Sequence, residues 1–116
     1  MNYVDSINRI VEEYKKQLGI NGEIKVKIRS YRTKAAFVNL KTRTIYINGR
    51  LLNLDEGVVK YLILHELLHI KLNSKYHSRK FYELLYGHIS PEEVELIRKT
   101  INEGLKEINH LRDTFR

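Results

Sequence analysis

Positions 65 to 69 read His65-Glu66-Leu67-Leu68-His69, two imidazoles four residues apart with a carboxylate beside the first. On an α-helix, positions i and i+4 share a face. Both rings can therefore reach one ion, about 2.0–2.1 Å from each ring nitrogen. Glu66 falls on the adjoining surface, outside the ligand set. From there it can reach a water whose pKa a metal has lowered to roughly 7, which is the position of a general base. The pattern H-E-x-x-H is thus suited to metal-assisted hydrolysis, with zinc the ion it fits.

The surrounding residues decide between that reading and a pair of hydrogen-bonded core histidines. From Val58 to Leu72 the chain runs VVKYLILHELLHIKL, apolar around nearly the whole helical circumference, which marks a central core helix. Two histidines and a glutamate there would be costly to bury without partners, and a metal supplies one. Burial also favours the neutral imidazole that ligation requires. With no cysteine in the chain, only histidine and carboxylate remain as strong ligands. A catalytic zinc takes a third protein ligand, and His77, at the entrance of the next helical segment, is favoured over Glu83. His88 and His110 are weaker candidates. Tyr76, Tyr82 and Tyr86 are candidates for stabilising a developing oxyanion.

The elements that must hold these residues follow an α+β order of helix, three strands and three helices. Val4, Ile7, Val11, Tyr14 and Leu18 recur at helical spacing and stop at Gly19, giving a backing helix. Ile24, Val26 and Ile28 alternate as a half-buried strand. Ala35 to Leu40 and Arg43 to Asn48 read as a hairpin around the two-residue connection Lys41-Thr42. Asn53 or Asp55 can cap the H-E-x-x-H helix, and the helix begun at His77 can end at Gly87. Ser90-Pro91-Glu92-Glu93 is a strong helix start, with serine at the N-cap and glutamate three residues on. Behind it Val94, Ile97, Ile101, Ile108, Leu111 and Phe115 form an apolar stripe. A helix from Pro91 toward Thr114 would be roughly 35 Å long at 1.5 Å per residue, long for so small a body.

A family resemblance rests on these segments. Ala35-Ala36-Phe37-Val38-Asn39, then Thr44 to Asn48, Gly49-Arg50-Leu51-Leu52 and Val58 to His69 resemble, in order, the catalytic core of integral-membrane metallopeptidases of the HtpX kind. His77-Ser78-Arg79-Lys80-Phe81 is similar to the third-ligand element of SprT and YgjP-like metalloproteases. A chain with both features resembles the minigluzincins. The resemblance implies a zincin-like minimal metallopeptidase domain: a small three-stranded sheet with a backing helix, an active-site helix and a long C-terminal helix. It implies Zn²⁺ on His65, His69 and His77, with Glu66 as general base. Ala35 to Asn39 would be an edge strand pairing antiparallel with an extended peptide or protein substrate. It also implies a catalytic domain over residues 1–90 and a C-terminal helical segment over 91–116. That segment would obstruct the cleft, within one chain or by exchange between two copies of a homodimer. The chain lacks the flanking hydrophobic helices of the membrane enzymes.

The net charge of +7 raises nucleic acid as an alternative partner. The cations are spread over every segment, and the alternation Glu23-Ile24-Lys25-Val26-Lys27-Ile28-Arg29 gives a solvated strand face without interleaved aromatics, so nucleic acid is not the expected partner. No signal-peptide pattern and no run of about 20 apolar residues is present, so the expectation is a chain with no membrane segment, resident in the cytoplasm. The rival to an endopeptidase is a non-catalytic, zinc-stabilised basic module that binds a protein or nucleic-acid partner. Glu66 argues against it, because a purely structural site has no use for a carboxylate beside its first ligand.

Overall fold

The computed structural model describes the backbone of residues 3–53 and 55–114 and the side chains of residues 4–53 and 55–107. Its elements run α1 (Tyr3–Leu18), β1 (Lys25–Arg29), β2 (Ala36–Asn39), β3 (Thr44–Asn48), a 3-10 turn (Gly49–Leu51), α2 (Glu56–Leu72), α3 (Arg79–Tyr86) and α4 (Pro91–Thr114). This is the α+β order expected.

α2 is the hub, packed against α1, α3, α4 and the sheet. Leu62, Ile63, Leu64, Leu67 and Leu68 are buried together, so the helix is covered on nearly every side, as its all-round apolar sequence requires. Asp55 caps its start by accepting from the Val58 N–H. Its end is a Schellman turn. Asn73 takes the left-handed conformation at φ 48°, with its N–H on the Ile70 carbonyl at 3.1 Å, while the Ser74 N–H reaches the His69 carbonyl at 3.1 Å. α1 ends in the same way, with Gly19 at φ 67° and Ile20 N–H on the Lys15 carbonyl at 2.9 Å. Its buried stripe is Ile7, Ile10, Val11 and Leu18; Val4, expected in that stripe, is 50% exposed in the opening turn.

The sheet order is β1-β3-β2, with β1 parallel and β2 antiparallel to β3. β2 is therefore an edge. The hairpin is present, but its connection is four residues, Leu40 to Arg43, and not two. Neither Lys41 nor Thr42 suits the positive φ of a primed two-residue turn, and the positive φ falls on Arg43 at 52°. The Asn39 side chain ties the turn by accepting from Lys41 N at 3.0 Å and Thr42 N at 3.2 Å. One sheet face, with Ile45 and Ile47, belongs to the core. Across the other, Lys27 lies beside Tyr46 and Tyr46 beside Phe37, whose rings stack at 4.7 Å. On that face one cation of β1 therefore stands beside an aromatic pair contributed by β3 and β2.

Asn48, fully buried at the end of β3, holds the loop that leads into β2. Its amide nitrogen donates to the Tyr31 and Lys34 carbonyls, both at 2.9 Å, and its oxygen accepts from Arg50 N at 3.1 Å. α4 starts as its sequence signals, with Ser90 Oγ accepting from Glu93 N at 3.2 Å. Val94 and Ile101 on α4 are buried, and Ile97 and Leu105 pack partly against the core. The side chains of Ile108, His110, Leu111 and Phe115 lie outside the described residues. Among the described residues no helix is long and apolar enough to cross a membrane.

Candidate metal centre

One nitrogen from each of His65, His69 and His77 lies within 4.8 Å of the others, and among the described residues these three form the group able to hold a metal ion. His65 and His69 come from successive turns of α2. His77 arrives through the short loop after Asn73 and stands just before the Ser78 N-cap of α3. His69 Nε2 and His77 Nε2 are 3.1 Å apart. Tetrahedral ligation at about 2.0–2.1 Å sets two nitrogens roughly 3.3 Å apart, so the pair needs little movement to share an ion.

The chemistry of the donors also fits. His69 Nδ1 lies 2.8 Å from the Ser74 carbonyl, which accepts its proton and leaves Nε2 with a free lone pair aimed at His77. The Schellman turn that ends α2 brings that carbonyl there. His65 Nδ1 donates in the same sense to Glu66 Oε2 at 2.9 Å. Partial burial holds His77 below the usual histidine pKa, aided by the nearby His65, His69 and Arg98 and opposed by Glu66. The lowered pKa favours the neutral His77 imidazole, the form that ligates.

Phe81 forms the floor of the cluster. It is fully buried, and its ring centroid lies 5.0, 4.9 and 4.8 Å from those of His65, His69 and His77. The element His-Ser-x-x-Phe thereby has a physical meaning. Ser78 accepts from the Phe81 N–H at 3.2 Å, opening α3 so that His77 precedes the cap and Phe81 sits beneath it. The Ser74 carbonyl and Phe81 were not singled out from the sequence, although the motif itself was the signal for Phe81.

The competing ligands lie elsewhere. Glu83 is exposed on α3 and pairs with Arg79 at 3.3 Å. His88 packs edge-on against Tyr14. Of the three tyrosines, Tyr76 is 80% exposed and Tyr86 42% exposed, whereas Tyr82 is half-buried with its ring 6.3 Å from that of His77. Arg98 of α4 donates its Nε–H to the buried Tyr61 hydroxyl at 3.3 Å, and Tyr61 and Tyr82 both hold its pKa above the usual arginine value. Tyr61 lies one turn before His65, with ring centroids 5.7 Å apart. α4 is thereby tied to the helix that carries His65 and His69, a link that periodicity could not foretell.

Glu66, 5% exposed, and His69 share a cavity of about 300 Å³ with Phe37 and Val38 of the edge strand β2 and with Lys34 and Lys75. Of the expected substrate strand, Ala36 to Asn39 form β2, and Ala35 extends its pairing by accepting from Asn48 N at 2.9 Å. The expected base and the expected strand edge therefore face one cleft.

Known proteins share the fold and much of the sequence. The chain is 36% identical over 100 residues to an uncharacterized protein of Methanocaldococcus jannaschii, covering 85% of this chain and 91% of that one. It is 38% identical over 78 residues to an uncharacterized protein of Aquifex aeolicus, covering 66% and 70%. Its structure is similar to the metallopeptidase zymogen jannalysin of Methanocaldococcus jannaschii, with TM-score 0.77 and 36% identity over 85% of this chain and 96% of that one. It is likewise similar to the metallopeptidase zymogen abylysin of Pyrococcus abyssi, with TM-score 0.79 and 31% identity over 86% and 95%. The YgjP-like metallopeptidase domain matches residues 2–103, and the chain belongs to that family.

Proposed function

We propose that this metallopeptidase is a zinc-dependent endopeptidase in which His65, His69 and His77 hold the ion and Glu66 is the general base. The observation that carries the reading is the convergence of three imidazole nitrogens within 4.8 Å, beside a buried glutamate that opens on the cleft. A Zn²⁺ ion held by His65, His69 and His77 would supply Lewis acidity, enough to lower the pKa of a water to about 7 and to polarise a carbonyl.

The remaining work belongs to the chain. The free edge of β2 offers N–H and C=O groups to an extended substrate, fixing it along Ala35 to Asn39. Glu66 takes a proton from the attacking water and returns it to the leaving amine. The Ser74 carbonyl keeps His69 in the tautomer whose Nε2 faces the cluster, and Phe81 limits how far the three rings can turn. Family membership favours this enzyme over a non-catalytic basic module.

Two related structures are zymogens, and we extend that property to this chain. Residues 91–116 restrain the cleft in the full-length form, within one chain or by exchange in a homodimer, an inexpensive route to a two-fold assembly. A casein-degradation assay on the zinc-loaded protein, as full chain and with the C-terminal segment shortened, tests both parts. Hydrolysis that depends on Glu66 is expected. Hydrolysis undiminished in Glu66→Gln would remove the assignment of the base.

A further inference from the structure

Two cavities run along β2. The first, of about 300 Å³, contains Glu66 and His69 and is lined also by Lys34, Phe37, Val38 and Lys75. The second, of about 620 Å³, continues past the far end of β2, where Lys41 and Lys75 join Asn39 and Tyr46. Lys34, Lys41 and Lys75 are exposed, and none has a carboxylate partner among the described residues. Among the described residues the sole acidic side chain in either cavity is Glu66.

Position within the cleft separates these cations from the general basic surface. Lys34 stands before the start of β2, Lys41 beyond its end, and Lys75, in the loop between α2 and α3, borders both cavities. Lys34 is also held in place. Its carbonyl accepts from the buried Asn48 amide at 2.9 Å, and its ammonium lies 4.8 Å from the centre of the Phe37 ring. A substrate antiparallel to β2 runs from the Lys41 end toward the Lys34 end, so side chains before the scissile bond meet Lys75 and Lys41 and those after it meet Lys34.

We infer that the cleft selects acidic peptides, with Lys75 and Lys34 as specificity-determining residues on the two sides of the scissile bond. The inference rests on the peptidase reading above and names its substrate class. Acidic residues flanking the cleaved bond gain an ion pair each, whereas lysine or arginine there meets repulsion.

The test is binding to the zinc-loaded chain carrying Glu66→Gln, read by anisotropy on the full chain and on the chain lacking residues 108–116, in which the proposed restraint is relieved. The probes are three extended peptides with one neutral dye, identical except for glutamate, glutamine or lysine at two positions on either side of the centre. Binding should weaken in that order and lose its discrimination at high salt. Lys75→Glu and Lys34→Glu should each weaken the glutamate peptide by roughly three- to fivefold, the range of a partly exposed ion pair, and the double variant should prefer the lysine peptide. Lys16→Glu, on the exposed face of α1, makes the same change in net charge and should leave the order intact.

Equal binding of the three peptides, no binding of any by either form, or loss of the order in Lys16→Glu would overturn the inference. So would a single-stranded oligonucleotide that outcompetes the glutamate peptide and is itself lost in Lys75→Glu. Casein cleavage by a chain with Glu66 intact judges the peptidase reading separately, so a failure of selectivity is not mistaken for a failure of catalysis.

Discussion

Replacing Phe81 by alanine should loosen the metal site as well as the core. The ring is fully buried and touches all three histidines, so its removal leaves a cavity under the cluster and should cost about 3–5 kcal/mol. At roughly 0.05–0.15 kcal/mol per residue, a chain of 116 residues holds roughly 6–17 kcal/mol, so the variant should still fold. The second effect is specific to the site. Zinc at 100 times its dissociation constant stabilises the folded parent by about 2.7 kcal/mol. Losing a support beneath the ligands typically weakens metal affinity about 10–100-fold, so the same zinc concentration should stabilise the variant by only about 1.4 to 0.4 kcal/mol. Urea unfolding of parent and variant, each with zinc and with a chelator, reads both quantities. A variant destabilised as expected but with an undiminished zinc increment would refute the claim that Phe81 orders the imidazoles.

Further expectations follow from other contacts. Glu66→Gln should retain the metal and the fold while abolishing peptide hydrolysis, checked by elemental analysis beside the casein assay. His77→Ala should weaken zinc binding by more than Glu83→Ala in a chelator competition, because Glu83 faces Arg79 and not the cluster. Asn48→Leu should lower stability by roughly 2–4 kcal/mol in urea unfolding, since three good hydrogen bonds at about 0.5–1.5 kcal/mol each are lost and buried groups stay unpaired. Removing residues 108–116 should raise casein cleavage while circular dichroism stays native. Removing 91–116 also deletes Val94 and Ile101 and uncovers the core surface they cover, losing about 1.5–3 kcal/mol for each and destabilising the domain. A folded, zinc-loaded short form no more active than the parent would reject latency through that end, and light scattering shows whether the intact chain is a dimer.

What could be read from the sequence was whatever local spacing encodes. The i, i+4 histidines, the all-round apolar α2, the Ser90 cap and the glycine stop at residue 19 each depend on neighbours within one or two turns. His77 was reachable through the His-Ser-x-x-Phe element, because the cap at Ser78 is itself a local device. The Ser74 carbonyl was not legible, since a backbone acceptor carries no residue signature and is placed by the turn at Asn73. Nor was the sheet order. The central position of β3, and with it the row Lys27, Tyr46, Phe37, depends on a parallel pairing between strands distant in sequence. The hydrogen bond from Arg98 to Tyr61 is likewise tertiary, joining α4 to α2 through side chains that periodicity reads separately.

The central claim is that three imidazoles of this chain hold one zinc ion and leave a position for water beside Glu66. X-ray absorption at the zinc edge on the full-length protein tests it most directly. The account predicts one zinc per chain, with three imidazole nitrogens at about 2.0–2.1 Å and one oxygen of a water. A spectrum with fewer than three imidazoles, or one left unchanged by His77→Ala, would contradict it.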